Sequence, residues 1–153
     1  MKLYLMQHGL QNPENLDPEK NLSEEGKKEV EKMAIYLREN KVDLGQIWHS
    51  GKTRALQTAT IVGGLQRPFI SPQQKDAMQP LDDPQAIFQA LSAEELDTML
   101  VGHMPHLKKL AALLLINDPA ADLIAFQPGS IVCLQNSADK WLISWMIVPA
   151  MLK

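Results

Sequence analysis

The sequence has a single cysteine, Cys133, no excess of positive charge and no long apolar run, and each shortage removes a class of protein. One thiol cannot build an internal disulfide framework. Set inside the apolar segment "SIVCL", Cys133 reads as a buried, inert side chain and suits a reducing cytosol. With 15 Lys and Arg against 18 Asp and Glu, the formal net charge is −3. That balance gives neither a basic field for nucleic acid nor a polybasic anchor for a membrane. No apolar stretch approaches the roughly 18 residues of a spanning helix, and the first residues lack the pattern of a secretory signal. The expected location is therefore the cytoplasm. Repeats and low-complexity tracts are absent as well.

What the chain does have is enough apolar residue for one core: 153 residues, 45% of them hydrophobic, predict a single domain over 1–153. Strands and helices alternate. "KLYLM" (2–6) reads as a buried strand that breaks at His8-Gly9. A helix follows from the N-cap Ser23, with Val30, Met33, Ala34 and Leu37 on its apolar face. "GQIWHS" predicts a second strand, and "TRALQTATIVGGL" a helix ending at Gly63-Gly64. Residues 71–85 read as a loop, "AIFQALSAEEL" as a helix and "DTMLVG" as a strand. "PHLKKLAALLLIN" reads as a helix with Pro105 in its first turn. The tail predicts two or three strands joined by Pro-Gly and Asn-Ser-Ala-Asp turns. This order predicts an α/β fold, a three-layer α/β/α sandwich with a mixed, mostly parallel sheet.

His8, Ser50 and His103 then fall at or just beyond strand carboxyl ends, where open α/β sheets bind ligands, and Arg54 lies in the first turn of the following helix. Two imidazoles and a guanidinium over one sheet edge suit phosphoryl transfer. A neutral imidazole attacks phosphorus in line, and arginine neutralises the equatorial oxygens. A second imidazole with a pKa near neutral would donate to an oxygen or act as a cation.

Competing patterns fit less well. "GQIWHSGKT" resembles a phosphate-binding loop, but five residues separate Gly45 from Gly51 where that motif needs four. His103 and His106, with His8 and His49, could be imagined as a zinc set. Pro105 between the first pair and the lack of a nearby cysteine or acidic partner argue against it. His106 is expected to cap its helix or face solvent.

The segments "LMQHG", "LSEEG", "HSGKTRALQTA" and "LVGHMPHL", in this order through the whole chain, together resemble the histidine phosphatase superfamily. The small size, with no cap insertion between Arg54 and His103, resembles its SixA-type phosphohistidine phosphatases. The resemblance implies a phosphoglycerate mutase-like fold and a metal-independent, cofactor-free phosphatase. Its substrate would be phosphohistidine on a phosphotransfer protein, in signal transduction. It implies His8 as the residue phosphorylated in turnover, Arg54 as phosphate clamp and His103 as second pocket imidazole. Gln7, Gly9, Lys20 and Gly102 become further phosphate contacts, Lys20 standing where SixA-type proteins carry an arginine.

Two departures matter. The family signature is Arg-His-Gly, whereas this chain has Gln7-His8-Gly9, which exchanges a permanent cation for a neutral amide. Nor does the segment after the second helix offer a glutamate as leaving-group acid, only Asp76, Asp82 and Asp83. A protonated phosphoimidazole leaves as neutral histidine and needs less acid help than an ester, so this lack favours phosphohistidine. The alternatives are a phosphoprotein-binding member of the same fold with weakened chemistry, and a small-molecule phosphomonoesterase.

Overall fold

A computed structural model describes residues 1–153. The strands are β1 (Lys2–Gln7), β2 (Gln46–His49), β3 (Gln73–Gln74), β4 (Thr98–Gly102), β5 (Ile131–Ser137) and β6 (Lys140–Ile147), and the helices are α1 (Glu24–Glu39), α2 (Thr53–Leu65), α3 (Gln85–Ser92) and α4 (His106–Ile116). One sheet runs β3-β2-β4-β1-β5-β6. The first four strands are mutually parallel, and β5 runs against both β1 and β6. The mixed, mostly parallel three-layer sandwich is as expected.

Both sheet faces are covered, which is why β1 reads as an unbroken apolar run. Tyr4 and Met6 join the core under α1 and α2, with Val30, Met33 and Ala59. Leu3 and Leu5 point to the opposite core under α3 and α4, with Trp48, Ile87 and Leu107. Cys133 is fully buried in the first of these cores, and burial raises its thiol pKa, as an inert thiol requires. Trp145 packs against Tyr4, ring centroids 6.0 Å apart, whereas Met146 is partly exposed.

Ser23 caps α1, its hydroxyl accepting from the Gly26 N–H at 3.0 Å. The tail forms two strands, and "LIAFQ" (123–127) joins neither. Ala138 and Asp139 close the β5–β6 hairpin with φ of 50° and 61°, the paired positive values of a two-residue turn that matches strand twist.

Four boundaries differ from expectation. α2 runs through Gly63-Gly64 to Leu65. Gly63 is there for close approach, because a Cβ would collide with the Ile70 carbonyl. α3 stops at Ser92, where the Ala93 N–H turns back to the Ala90 carbonyl and the Glu94 N–H to that of Leu91, since nothing beyond Leu91 extends its buried face. Pro105 stands one residue before α4, at its N-cap. The 71–85 loop contains the two-residue edge strand β3, paired with Trp48 and His49.

Candidate active site

The parallel register brings the carboxyl ends of β1, β2 and β4 to one edge: Gln7 stands opposite Gly102, and His49 opposite Val101. The next residues along are His8, Ser50 and His103. The His8 N–H donates to the Gly102 carbonyl at 3.1 Å, and the two imidazoles lie with centroids 5.1 Å apart, tilted by 48°. Arg54 enters from the first turn of α2 and is close enough to depress both histidine pKa values.

His8 is held as a nucleophile must be. Its Nδ1 lies 2.8 Å from the Gly9 carbonyl, an acceptor only, so Nδ1 carries the proton and Nε2 keeps its lone pair. Burial, and then the Arg54 charge, lower its pKa, which keeps the ring neutral. Gly9 is in turn tied to α2: its N–H donates to the Thr58 hydroxyl at 3.0 Å, which donates to the Arg54 carbonyl at 2.8 Å. Thr58 thus couples the helix that carries Arg54 to the backbone that aims His8. Thr58→Val should leave the Gly9 N–H buried and unpaired, at a cost of about 1–3 kcal/mol in stability. A Tm scan checks the stability; turnover should show kcat reduced with KM nearly unchanged, and Thr58→Ser should restore both.

His103 is 2% exposed. Its Nε2 lies 2.6 Å from Ser50 Oγ, and that oxygen also accepts the Lys52 N–H at 3.3 Å. The buried Ser50 hydroxyl has His103 Nε2 as its acceptor, which leaves the imidazole proton on Nδ1. Burial first, then the neighbouring His8, Arg54 and Lys52, push the His103 pKa down to about 3. The expectation of a near-neutral pKa is corrected: in the free site His103 is a neutral donor.

Burial lowers the pKa of all four histidines. A base whose folded pKa lies below its unfolded value near 6.5 binds fewer protons folded than unfolded, so stability is full above that value and falls as pH drops. Each such group costs up to roughly 1.4 kcal/mol per pH unit while it titrates only in the unfolded chain. Tm should be flat above neutral pH and fall steeply between about pH 6.5 and 4; a flat profile there would contradict the buried, neutral histidines.

The remaining expected contacts divide. Gln7 is at the site, its N–H on the Ser130 carbonyl at 3.2 Å and its carbonyl receiving the Gly129 N–H at 3.0 Å. Gly129 has the positive φ of 77° that this turn needs. Gly9 and Gly102 are committed to fixing His8: the Gly9 N–H is spent on Thr58, and the Gly102 carbonyl on the His8 amide. Lys20 sits on the loop before α1, its Nζ 3.5 Å from Glu14. The neighbouring Asn21 bonds Gln57 on α2 at 2.8 Å, which ties that loop one turn beyond Arg54.

His106 neither caps nor faces solvent; it is fully buried against the 77–83 segment, with Asp82 and Asp83 as its charged neighbours. It also stands close enough to His103 to act on its charge, and His49 Nδ1 accepts the Gly51 N–H at 3.1 Å. The Gly51 and Lys52 amides turn onto side chains of the same loop, not into an open anion cradle. Asp82 accepts the Gln79 N–H and Asp83 the Gln85 N–H, so both serve local turns. Thr58 and Gln79, whose amide donates to the Ser50 carbonyl at 2.8 Å, were not signalled by the sequence. Each acts on a residue far away along the chain.

No family model matches the sequence, and no curated protein does. Solved structures do. A SixA protein histidine phosphatase complexed with tungstate superposes with a TM-score of 0.86 at 24% identity, covering 100% of both chains. The chain has the histidine phosphatase fold. A SixA phosphohistidine phosphatase structure from Agrobacterium tumefaciens gives 0.77 at 21% identity over 97% of each chain. Phosphoserine phosphatase of Entamoeba histolytica, complexed with phosphoserine, gives 0.73 at 15% over 95% of each. Within this histidine phosphatase fold, only residues 66–84 link α2 to α3, and they hold nothing larger than β3.

Proposed function

We propose that this protein is a phosphohistidine phosphatase that works through a phospho-His8 intermediate. The observation that carries the reading is His8, its Nδ1 proton fixed on Gly9 and its Nε2 left as a lone pair, beside a neutral His103 and Arg54. Nε2 attacks phosphorus, the P–Nε2 bond forms, the P–N bond of the substrate breaks, and the leaving imidazole keeps its own proton. Water then attacks the phosphoryl group on His8, releasing phosphate and regenerating the imidazole. Arg54 Nε–H and His103 Nδ1–H, both buried without a protein partner, are donors available to the equatorial oxygens, whose charge grows in the transition state.

Substrate class follows from what stands around His8. Asp76 is exposed and Asp82 and Asp83 accept from local turns beside His106, and none of the three bonds to His8, Arg54 or His103. That favours a P–N substrate, whose leaving group is already a weak base. The short α2–α3 connection favours a bulky, protein-borne phosphohistidine, and SixA structures sharing this fold carry that activity in their names. A phosphotransfer protein would then be the partner and signal transduction in the cytoplasm the setting.

The test is single-turnover phosphate release from a phosphohistidine-bearing phosphotransfer protein against release from nitrophenyl phosphate. Faster release from the P–N substrate supports the reading, and the reverse order overturns the choice of substrate. A second reading, a phosphoprotein-binding module, is favoured by the uncharged Gln7. Stable binding without discharge of phospho-His8 would select it.

A further inference from the structure

At the opposite end of the sheet from the histidine site, the amino ends of β1, β2 and β4 border a second cavity, of about 590 Å³. Volumes of this order are those of small-molecule sites. Tyr4 belongs to its floor. The residue is 2% exposed, and the surface it keeps lines the cavity. Its hydroxyl has no hydrogen-bond partner: only burial and neighbouring charges act on it. A buried hydroxyl without a partner is rare, and its complement is a polar group that enters from the cavity. Tyr4 stands four residues before His8, roughly 13 Å along an extended chain. No residue lining the cavity takes part in the phosphoryl site.

The walls decide what that group is. Tyr36 and Trp145 line the cavity with Tyr4, and Trp145 is tilted against the Tyr4 ring by 47°. Val42 and Met146 add apolar surface. Two carboxylates, Asp43 and Asp97, and two ammonium groups, Lys2 and Lys41, complete the charged lining. The two signs are not equivalent. Asp97 and Asp43 are close enough to Tyr4 to push its hydroxyl pKa up, with the buried thiol of Cys133, whereas neither lysine acts on it. Neither carboxylate is in an ion pair, since the three ion pairs of the protein lie elsewhere. Asp97 spends one oxygen on the Lys2 backbone N–H, at 2.7 Å. The field at the cavity floor is therefore negative, beside rings whose faces attract cations. We propose that this cavity binds a small organic cation, an alkylammonium whose head donates to the Tyr4 hydroxyl and faces Asp43 and Asp97, and whose apolar body lies against Trp145, Val42 and Met146. An anion would meet two carboxylates, and a purely apolar guest would leave the hydroxyl unpaired.

Hexylammonium, hexanol and hexanoate vary the head group on one chain. Titrating each into the full-length protein, followed by the NMR shifts of Tyr4, Tyr36 and Trp145, reads the preference at the cavity itself. Hexylammonium should bind about tenfold more tightly than hexanol, the worth of a charge-assisted contact over a neutral one, and hexanoate should bind weakest. Asp43→Asn combined with Asp97→Asn keeps the shape and the oxygen that accepts from Lys2, and should bring hexylammonium and hexanol to equal affinity. Tyr4→Phe removes only the unpartnered hydroxyl, and should weaken hexylammonium about fivefold with Tm retained. Nα-acetyl-lysine amide separates two sources of the head group: binding as tight as hexylammonium identifies a lysine side chain, and binding of hexylammonium alone a free amine. Either supports the cation site. Equal affinity for hexylammonium and hexanol in the wild type, tightest binding of hexanoate, or no shift at the three aromatic residues overturns it. Phosphate release is not the readout, so the phosphatase reading stands or falls separately.

Discussion

His8→Ala is expected to lower turnover by at least roughly 10⁴-fold, the scale on which enzymes lose their nucleophile, while phosphate binding changes only a few-fold. The separation follows from the geometry. The groups that would hold the phosphoryl oxygens, Arg54 Nε and His103 Nδ1, are positioned by α2 and by Ser50, not by His8. The fold should survive, because the His8 ring makes one hydrogen bond, to Gly9, and lies outside both apolar cores. Loss of an acid-labile phosphoenzyme, with Tm retained, checks the nucleophile. Turnover persisting in His8→Ala would mean that water attacks the substrate directly, and the two-step route would fall.

Gln7→Arg is expected to raise the rate, by roughly 10²-fold if the guanidinium reaches the phosphoryl oxygens, since a preorganised charged donor at developing charge has that worth. The same change places a second guanidinium near Arg54, whose pKa burial already lowers. The ligand-free protein should therefore lose stability, and added phosphate should return more of it than in the wild type. Rate, Tm and Tm with phosphate measured on one preparation separate these effects. A variant no faster than wild type would show that Gln7 already suits the bound group and does not mark a weakened site.

Much of the fold was legible because it rests on short-range chemistry. The apolar run of β1 follows from cover on both sheet faces. The start of α1 follows from Ser23 and the buried row Val30, Met33, Ala34 and Leu37. His8, Ser50 and His103 were legible as a group because each ends a strand, and parallel strands align those ends. Gln7 was legible as a departure because it stands beside His8 in a segment of known pattern. The end of α2 is not legible because a glycine pair normally terminates a helix; here Gly63 admits the backbone at Ile70, a contact that local propensity does not encode.

By itself the sequence determined the strand–helix alternation, the two apolar faces of the sheet and the residues offered to its carboxyl edge, since each depends on neighbours within a few positions. Only the tertiary structure decided which atoms of those residues are free. Ser50 fixes the His103 proton across 53 residues, and Thr58 aims His8 through Gly9 across 49. His106, three residues from His103, is buried against the 77–83 segment. Protonation state and hydrogen-bond sense arise from burial and from partners distant in the chain, and these exist only once the layers have packed.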